Sequence, residues 1–198
     1  YGVDAYQSWA DNFHTAFVLT SLSRMIESVA SAVDTSIEHE LTAETQSTQR
    51  WRREDLDAFR NALQRGYDFW RERFFLANGW PKYFPDRLYP ADAHSAGAAL
   101  VALAELQALD SGATELAETI AWWAIENLRD PRGFFYYQRR RFHTVRVPYM
   151  RWSQAWMMYG LSRLLEVKSK KATVRRETDG KRSQRHQRKN FRVRPPNN

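Results

Sequence analysis

Apolar residues recur at helical spacing in five stretches, separated by polar or proline-bearing segments, and the pattern predicts five helices. The first runs from about Asp11 to Ala32, with Phe17, Val18, Leu22, Met25, Ile26 and Val29 on a stripe that Ser21 interrupts. A polar stretch over 34–55 predicts a long connection. The second helix spans about Glu54 to Leu76, rich in Arg and aromatics, and stops at Asn78-Gly79. WPKYFPDRLYP follows, three prolines among aromatics that no helix interior accommodates. The third helix, about Ala91 to Leu109, is alanine-rich on several sides and predicts close surroundings. Asp110-Ser111-Gly112 ends it. The fourth runs from about Thr114 to Leu128. Asp130-Pro131-Arg132-Gly133 is a turn, and GFFYYQ with FHTVRV predicts a short β-hairpin or ordered loop near 133–147. Pro148 precedes a fifth helix, about Tyr149 to Lys168.

Three of the helices share an opening. Asn12-Phe13-His14-Thr15-Ala16, Asp92-Ala93-His94-Ser95-Ala96 and Arg151-Trp152-Ser153-Gln154-Ala155 each lead into an apolar run, with the aligned alanines 80 and 59 residues apart. Recurrence of this kind marks stacked helical hairpins. Helices one, three and five carry the smaller or wholly apolar surfaces expected of an inner layer. Helices two and four are amphipathic and charge-laced, as outer helices are. Alternating inner and outer helices make an (α/α) toroid or an α-solenoid. The segments 78–92 and 130–150 and the start of helix one all precede an inner helix and are expected to meet at one rim.

Composition changes this picture in two places. The net charge of +7 is unevenly spread: residues 167–198 hold 12 Lys and Arg against Glu177 and Asp179, whereas residues 1–166 hold 18 basic and 21 acidic residues, net −3. The basic character belongs to a tail, taken as a disordered extension over 169–198 that follows a folded domain over 1–168. Its two readings are an arm for nucleic acid or another polyanion and a solvated extension without a specific partner. With no cysteine, disulfides and thiolate chemistry are excluded. No run approaches the roughly 18–20 apolar residues of a membrane helix. No secretory signal is visible at the start, which makes a cytoplasmic location the expectation.

The segments WADNFHTAFVLTSL, NGWPKYFPDRLYPADAHSA, GFFYYQ and PYMRWSQAWMMYGLSRLL resemble bacterial polysaccharide-biosynthesis proteins of the VpsJ type, within the six-hairpin, (α/α)6-toroid glycosidase-like group. The resemblance covers residues 8–166, and Asn78 stands where the motif prefers Asp. It implies an all-α, (α/α)-toroid fold and a role with bacterial exopolysaccharide. A full ring needs about twelve helices, so the five read here correspond to its C-terminal half, with a missing N-terminal half or a partner protein expected to cover the open flank.

Three clusters carry the candidate chemistry. In the first, Asp11 and His14, matched by Asp92 and His94 at the equivalent helix start, supply the carboxylates and imidazoles that acid–base work on a sugar needs. Their structural alternatives are ordinary helix caps and a satisfied histidine. In the second, Lys82, Tyr83, Asp86 and Arg87 sit in the proline- and aromatic-rich loop, either gripping a glycan or closing a rigid lid by pairing Asp86 with Arg87 or Arg151. In the third, Tyr137 precedes the fifth helix and Arg151 and Trp152 stand in its opening, where a guanidinium among aromatics suits an anionic glycan. Trp156, Met157 and Tyr159 are assigned to the core. Trp9, Tyr83 and Trp152 form the expected stacking platform, Asn12 a substrate contact, and Lys82 and Arg151 the anion grips. No ligand spacing supports a metal and no motif calls for a cofactor. The expected function is a carbohydrate-active protein of exopolysaccharide biosynthesis or processing, hydrolase-, lyase- or epimerase-like if catalytic. The alternative is a non-catalytic glycan-binding or assembly component.

Overall fold

The computed structural model describes residues 9–35 and 43–191. It is mainly helical, with a small three-stranded antiparallel sheet. The helices are α1 (Asn12–Thr35), α2 (Ala43–Phe74), α3 (Ala93–Glu105), α4 (Ala113–Leu128) and α5 (Ala155–Phe191), the last entered through a π-helical turn over Met150–Gln154. The strands are β1 (Ala91–Asp92), β2 (Gln138–Arg139) and β3 (Thr144–Val145). β2 and β3 form the hairpin expected near 133–147, and β1 adds to it with Asp92 opposite Gln138.

α3 is the centre of the molecule. It packs against α1, α4 and α5, while α2 packs on α1. Every residue from Ala93 to Ala104 is buried, as its alanine-rich composition predicts. Small side chains let neighbouring backbones approach closely. A Cβ on Gly97 would sit 2.5 Å from the Trp156 carbonyl carbon, and one on Gly160 would sit 2.6 Å from the Gly97 carbonyl oxygen. The α3–α5 crossing therefore depends on both glycines. α2 buries Leu56, Leu63, Tyr67, Trp70 and Phe74, one face at helical spacing, and so lies outside α1 as a conventional amphipathic helix.

Some boundaries and faces differ from the sequence reading. α2 begins at Ala43 rather than Glu54. Residues 43–53 carry good helix formers and no proline or glycine, but no apolar stripe, so propensity and not periodicity extends the helix. α5 continues past Lys168 to Phe191, where the sequence suggested disorder. Lys and Arg favour helix, and a solvated helix needs no apolar face to continue from a packed one. On α1 the buried side is Ala16, Leu19 and Ile26, leaving Phe17, Val18, Met25 and Val29 exposed. On α5 Met157 is buried as assigned, Trp156 is only partly so, and Tyr159 is 44% exposed and is not core.

Candidate functional site

The starts of α1 and α3 are tied to the proline-rich loop and the hairpin by backbone bonds, and the π-helical turn before α5 is tied to the segment leading into the hairpin by a side chain. Asn12 N donates to Tyr83 O, Tyr83 N to Pro90 O, and Ala93 N to Tyr137 O, each at 3.0 Å. The Tyr89–Pro90 peptide is cis. Gln154 grips the hairpin from the π-helical turn, accepting from Phe135 N (2.9 Å) and donating to Phe135 O (2.6 Å). The segments expected to share a rim do meet.

At the start of α1, Asp11 is fully buried. Its Oδ1 accepts from His14 N (2.7 Å), and its Oδ2 lies 2.6 Å from His14 Nδ1. The carboxylate is thus both helix cap and partner of a half-exposed imidazole. Asn12 is structural: its amide donates to Lys82 O (3.0 Å) and accepts from Trp70 Nε1 (2.8 Å). It ties α1 to α2 and to the proline-rich loop, and both ends of its side chain are used. That places Asn12 in the framework rather than among substrate contacts.

At the start of α3, Asp92 is also fully buried and caps the helix, its Oδ1 accepting from Ser95 N at 2.7 Å. Asp92 Oδ2, His94 Nε2 and Ser95 Oγ are buried without a well-formed hydrogen bond among the described residues, although the Ser95 and Gln138 side chains lie close enough to Asp92 to favour its charged form. Three such atoms within four positions are exceptional, because an unmade buried hydrogen bond costs about 1–3 kcal/mol. Burial pushes the Asp92 carboxyl up to about 6, against hydrogen bonding from Ser95 and Gln138 and with a further push from the Asp11 charge. Burial pulls His94 down to about 4, helped by His14 and opposed by Asp11. The usual order of proton affinity between a carboxylate and an imidazole is reversed here.

Aromatic rings wall this group. The His94 ring lies 3.7 Å from Phe13 (centroid to centroid, tilted 32°), 5.0 Å from Trp152 edge-on and 5.4 Å from Trp156. Trp9 meets His14 and Phe84 edge-on, each at 6.3 Å, and Tyr137 meets Tyr149 at 5.1 Å. Burial pushes the Tyr83 phenol up to about 12, assisted by the charges of Asp11 and Asp92, and raises Tyr137, where Asp92 again contributes. Tyr83, Tyr137, Asp11, Asp92, His14 and His94 therefore act on one another as one electrostatic unit. Trp9 and Trp152 are about half exposed (46% and 51%), so they present ring faces to solvent beside it.

The expected anion grips are not part of this unit. Lys82 Nζ donates to Pro85 O at 2.7 Å, bracing its own loop, and burial, with Arg73, lowers its proton affinity. Asp86 pairs with Arg87 at 3.4 Å, both well exposed, and Arg87 lies over the Phe84 ring at 4.5 Å. Arg151 is exposed on the π-helical turn. Arg140 Nε donates to Gln138 at 2.8 Å. Phe13 and Gln138 belong to the site and were not singled out from sequence. Gln138 reaches Asp92 only through strand pairing, which no local pattern encodes, whereas Phe13 sits inside the repeated opening beside His14.

Fold and site define a mainly helical protein with a buried carboxyl–imidazole group at an aromatic rim. No family model, no curated protein and no solved structure matches the chain. Among the described residues no helix is long and apolar enough to cross a membrane, and no group of His, Cys, Asp and Glu is placed to hold a metal.

Proposed function

We propose that this is a carbohydrate-active protein of bacterial exopolysaccharide biosynthesis or processing, which takes a glycan at the rim formed by α1, α3 and the start of α5. The observation that carries the reading is the buried Asp92–His94–Ser95 group set beside the half-exposed rings of Trp9 and Trp152. Sugar rings present an apolar face for stacking and a hydroxyl edge for such polar groups. The inner row α1–α3–α5 with α2 and α4 outside it supports arranging the helices as an (α/α) toroid, the architecture that the VpsJ-type resemblance also suggests.

In the catalytic form, Asp92 is the proton carrier. A carboxyl raised to about 6 holds a transferable proton close to neutral pH, the property of a general acid. Asp11 then acts through its charge, and His14 orients Asp11. His94, neutral at physiological pH, serves as a hydrogen-bonding group. A recognition-only form is favoured by a different observation: both Asp11 oxygens are already engaged by His14, which leaves the pair without two carboxyls open to a substrate. Glycan incubation with mass-spectrometric and NMR readout separates the two. Turnover that Asp92→Asn removes establishes the enzyme. Binding that Trp152→Ala removes, with glycan unchanged, establishes recognition. No binding to any glycan overturns both.

A further inference from the structure

We infer that the C-terminal part of α5 is a docking surface for a nucleic-acid duplex, which it holds through the phosphates by a basic stripe running from Lys168 to Lys189. This surface is independent of the rim and of the glycan reading placed there.

α5 continues as one helix to Phe191. Along it Lys168, Lys171, Arg175, Arg182, Arg185 and Lys189 stand 3, 4, 7, 3 and 4 positions apart, with Thr178 inside the longer gap. At 3.6 residues per turn this spacing puts all six on one side of the helix. The other side carries Ser169, Thr173, Ser183 and Gln187, and its one charge is Arg176. Glu177 and Asp179 fall at the margins of the basic side rather than within it. Solubility alone does not require such sorting, because interspersed charges serve it as well.

The stripe begins against the body of the fold. Lys168 Nζ lies 3.1 Å from Glu118, and Lys171 Nζ donates to Thr114 Oγ1 at 2.6 Å, both on α4. Residues 172–176 are then all exposed, more than a full turn, so no part of the fold covers any side of the helix there.

Charge and shape choose the partner. Lys168 to Lys189 spans about 31 Å at 1.5 Å per residue, close to one turn of duplex at about 34 Å. A duplex carries one phosphate charge per roughly 1.7 Å of axis, and the release of its counterions drives binding to Lys and Arg. A helix about 10–12 Å across with its side chains also fits the major groove, which is about 12 Å wide. A lipid surface suits this helix less, because the neutral side has no Trp or Leu to insert. An acidic glycan matches the sign of the charge but offers no groove that takes a helix.

The test is fluorescence anisotropy of a labelled duplex of random sequence, titrated with the full chain between about 0.05 and 0.2 M NaCl. Two triple variants are compared. Arg175→Gln, Arg182→Gln and Arg185→Gln remove charge from the stripe, whereas Ser169→Glu, Ser183→Glu and Gln187→Glu lower the net charge by the same amount on the opposite side. Arg and Gln have similar helix propensity, so the stripe variant should keep its helical circular dichroism. The expected result is that the stripe variant binds at least about tenfold more weakly than the opposite-side variant. Its dependence of log affinity on log salt should flatten by about 2–3, the loss of three phosphate contacts. Equal weakening of the two variants would mean that net charge alone matters and would overturn the stripe. Failure of the wild-type chain to bind the duplex at the lowest salt would overturn it too. Polygalacturonate displacing the duplex at a lower concentration of charge would make the partner an acidic glycan and overturn the assignment to nucleic acid.

Discussion

The Phe13 and His94 rings lie 3.7 Å apart, centroid to centroid, so α1 and α3 interlock at their first turns by a ring-on-ring contact. Both residues follow a buried Asp or Asn by one or two positions, and in each helix that Asp caps the first turn. The shared opening of the two helices is therefore a spatial fact, with one helix start supporting the other.

This contact bears on how stability varies with pH. Asp92, raised to about 6, is protonated in the folded state between about 4 and 6, where the unfolded chain has lost that proton. Taken alone it makes stability fall as pH rises through that window. His94, lowered to about 4, is neutral over the same window, where the unfolded chain holds a proton; alone it makes stability rise with pH. The two slopes oppose each other. Urea unfolding from pH 4 to 6.5 should show His94→Gln gaining stability relative to wild type as pH falls, and Asp92→Asn losing it. Parallel profiles for the two variants would contradict these assignments.

Asn12→Ala should destabilise the fold by about 2–4 kcal/mol, because Trp70 Nε1 and Lys82 O lose their partner in a buried setting. Urea unfolding reads this directly. A loss under about 1 kcal/mol would mean that water replaces the amide.

Gly97→Ala should cost more than an ordinary helix substitution, which would otherwise gain up to about 1 kcal/mol. The new methyl carbon meets the Trp156 backbone at 2.5 Å, and two helix backbones must move apart to admit it. A drop of about 1–3 kcal/mol is expected, with glycan affinity lowered because Trp152 and Trp156 move with α5. A thermal midpoint at or above that of wild type would refute the close crossing.

Gln154→Ala should release the hairpin rather than the core. The Phe135 amide loses its side-chain acceptor, and hydrogen exchange at Phe135 should accelerate while amides in α3 keep their protection. Equal acceleration at both places would show that the hairpin and the core open together.

Much of this arrangement was legible in the sequence, for reasons that particular residues make plain. The alanines of α3 announce a helix surrounded on all sides, and the repeated Asp/Asn–Phe/Ala–His opening places two imidazoles at equivalent starts. What sequence could not supply is where side chains spend their hydrogen bonds. Asn12 resembles a substrate contact until Trp70 and Lys82 O are seen to occupy it, and no local pattern says that Lys82 Nζ braces its own loop at Pro85 O. Periodicity also misplaced the exposed side of α1, because Phe17 and Val18 are apolar yet face solvent.

The most direct test of the glycan-acting rim is a two-dimensional NMR titration of the full chain with a mixed bacterial oligosaccharide preparation, following the tryptophan indole signals. Shifts concentrated at Trp9 and Trp152, with the exposed Trp122 on α4 unmoved, are the predicted result. Unmoved Trp9 and Trp152 signals, or shifts centred on Trp122, would contradict the account.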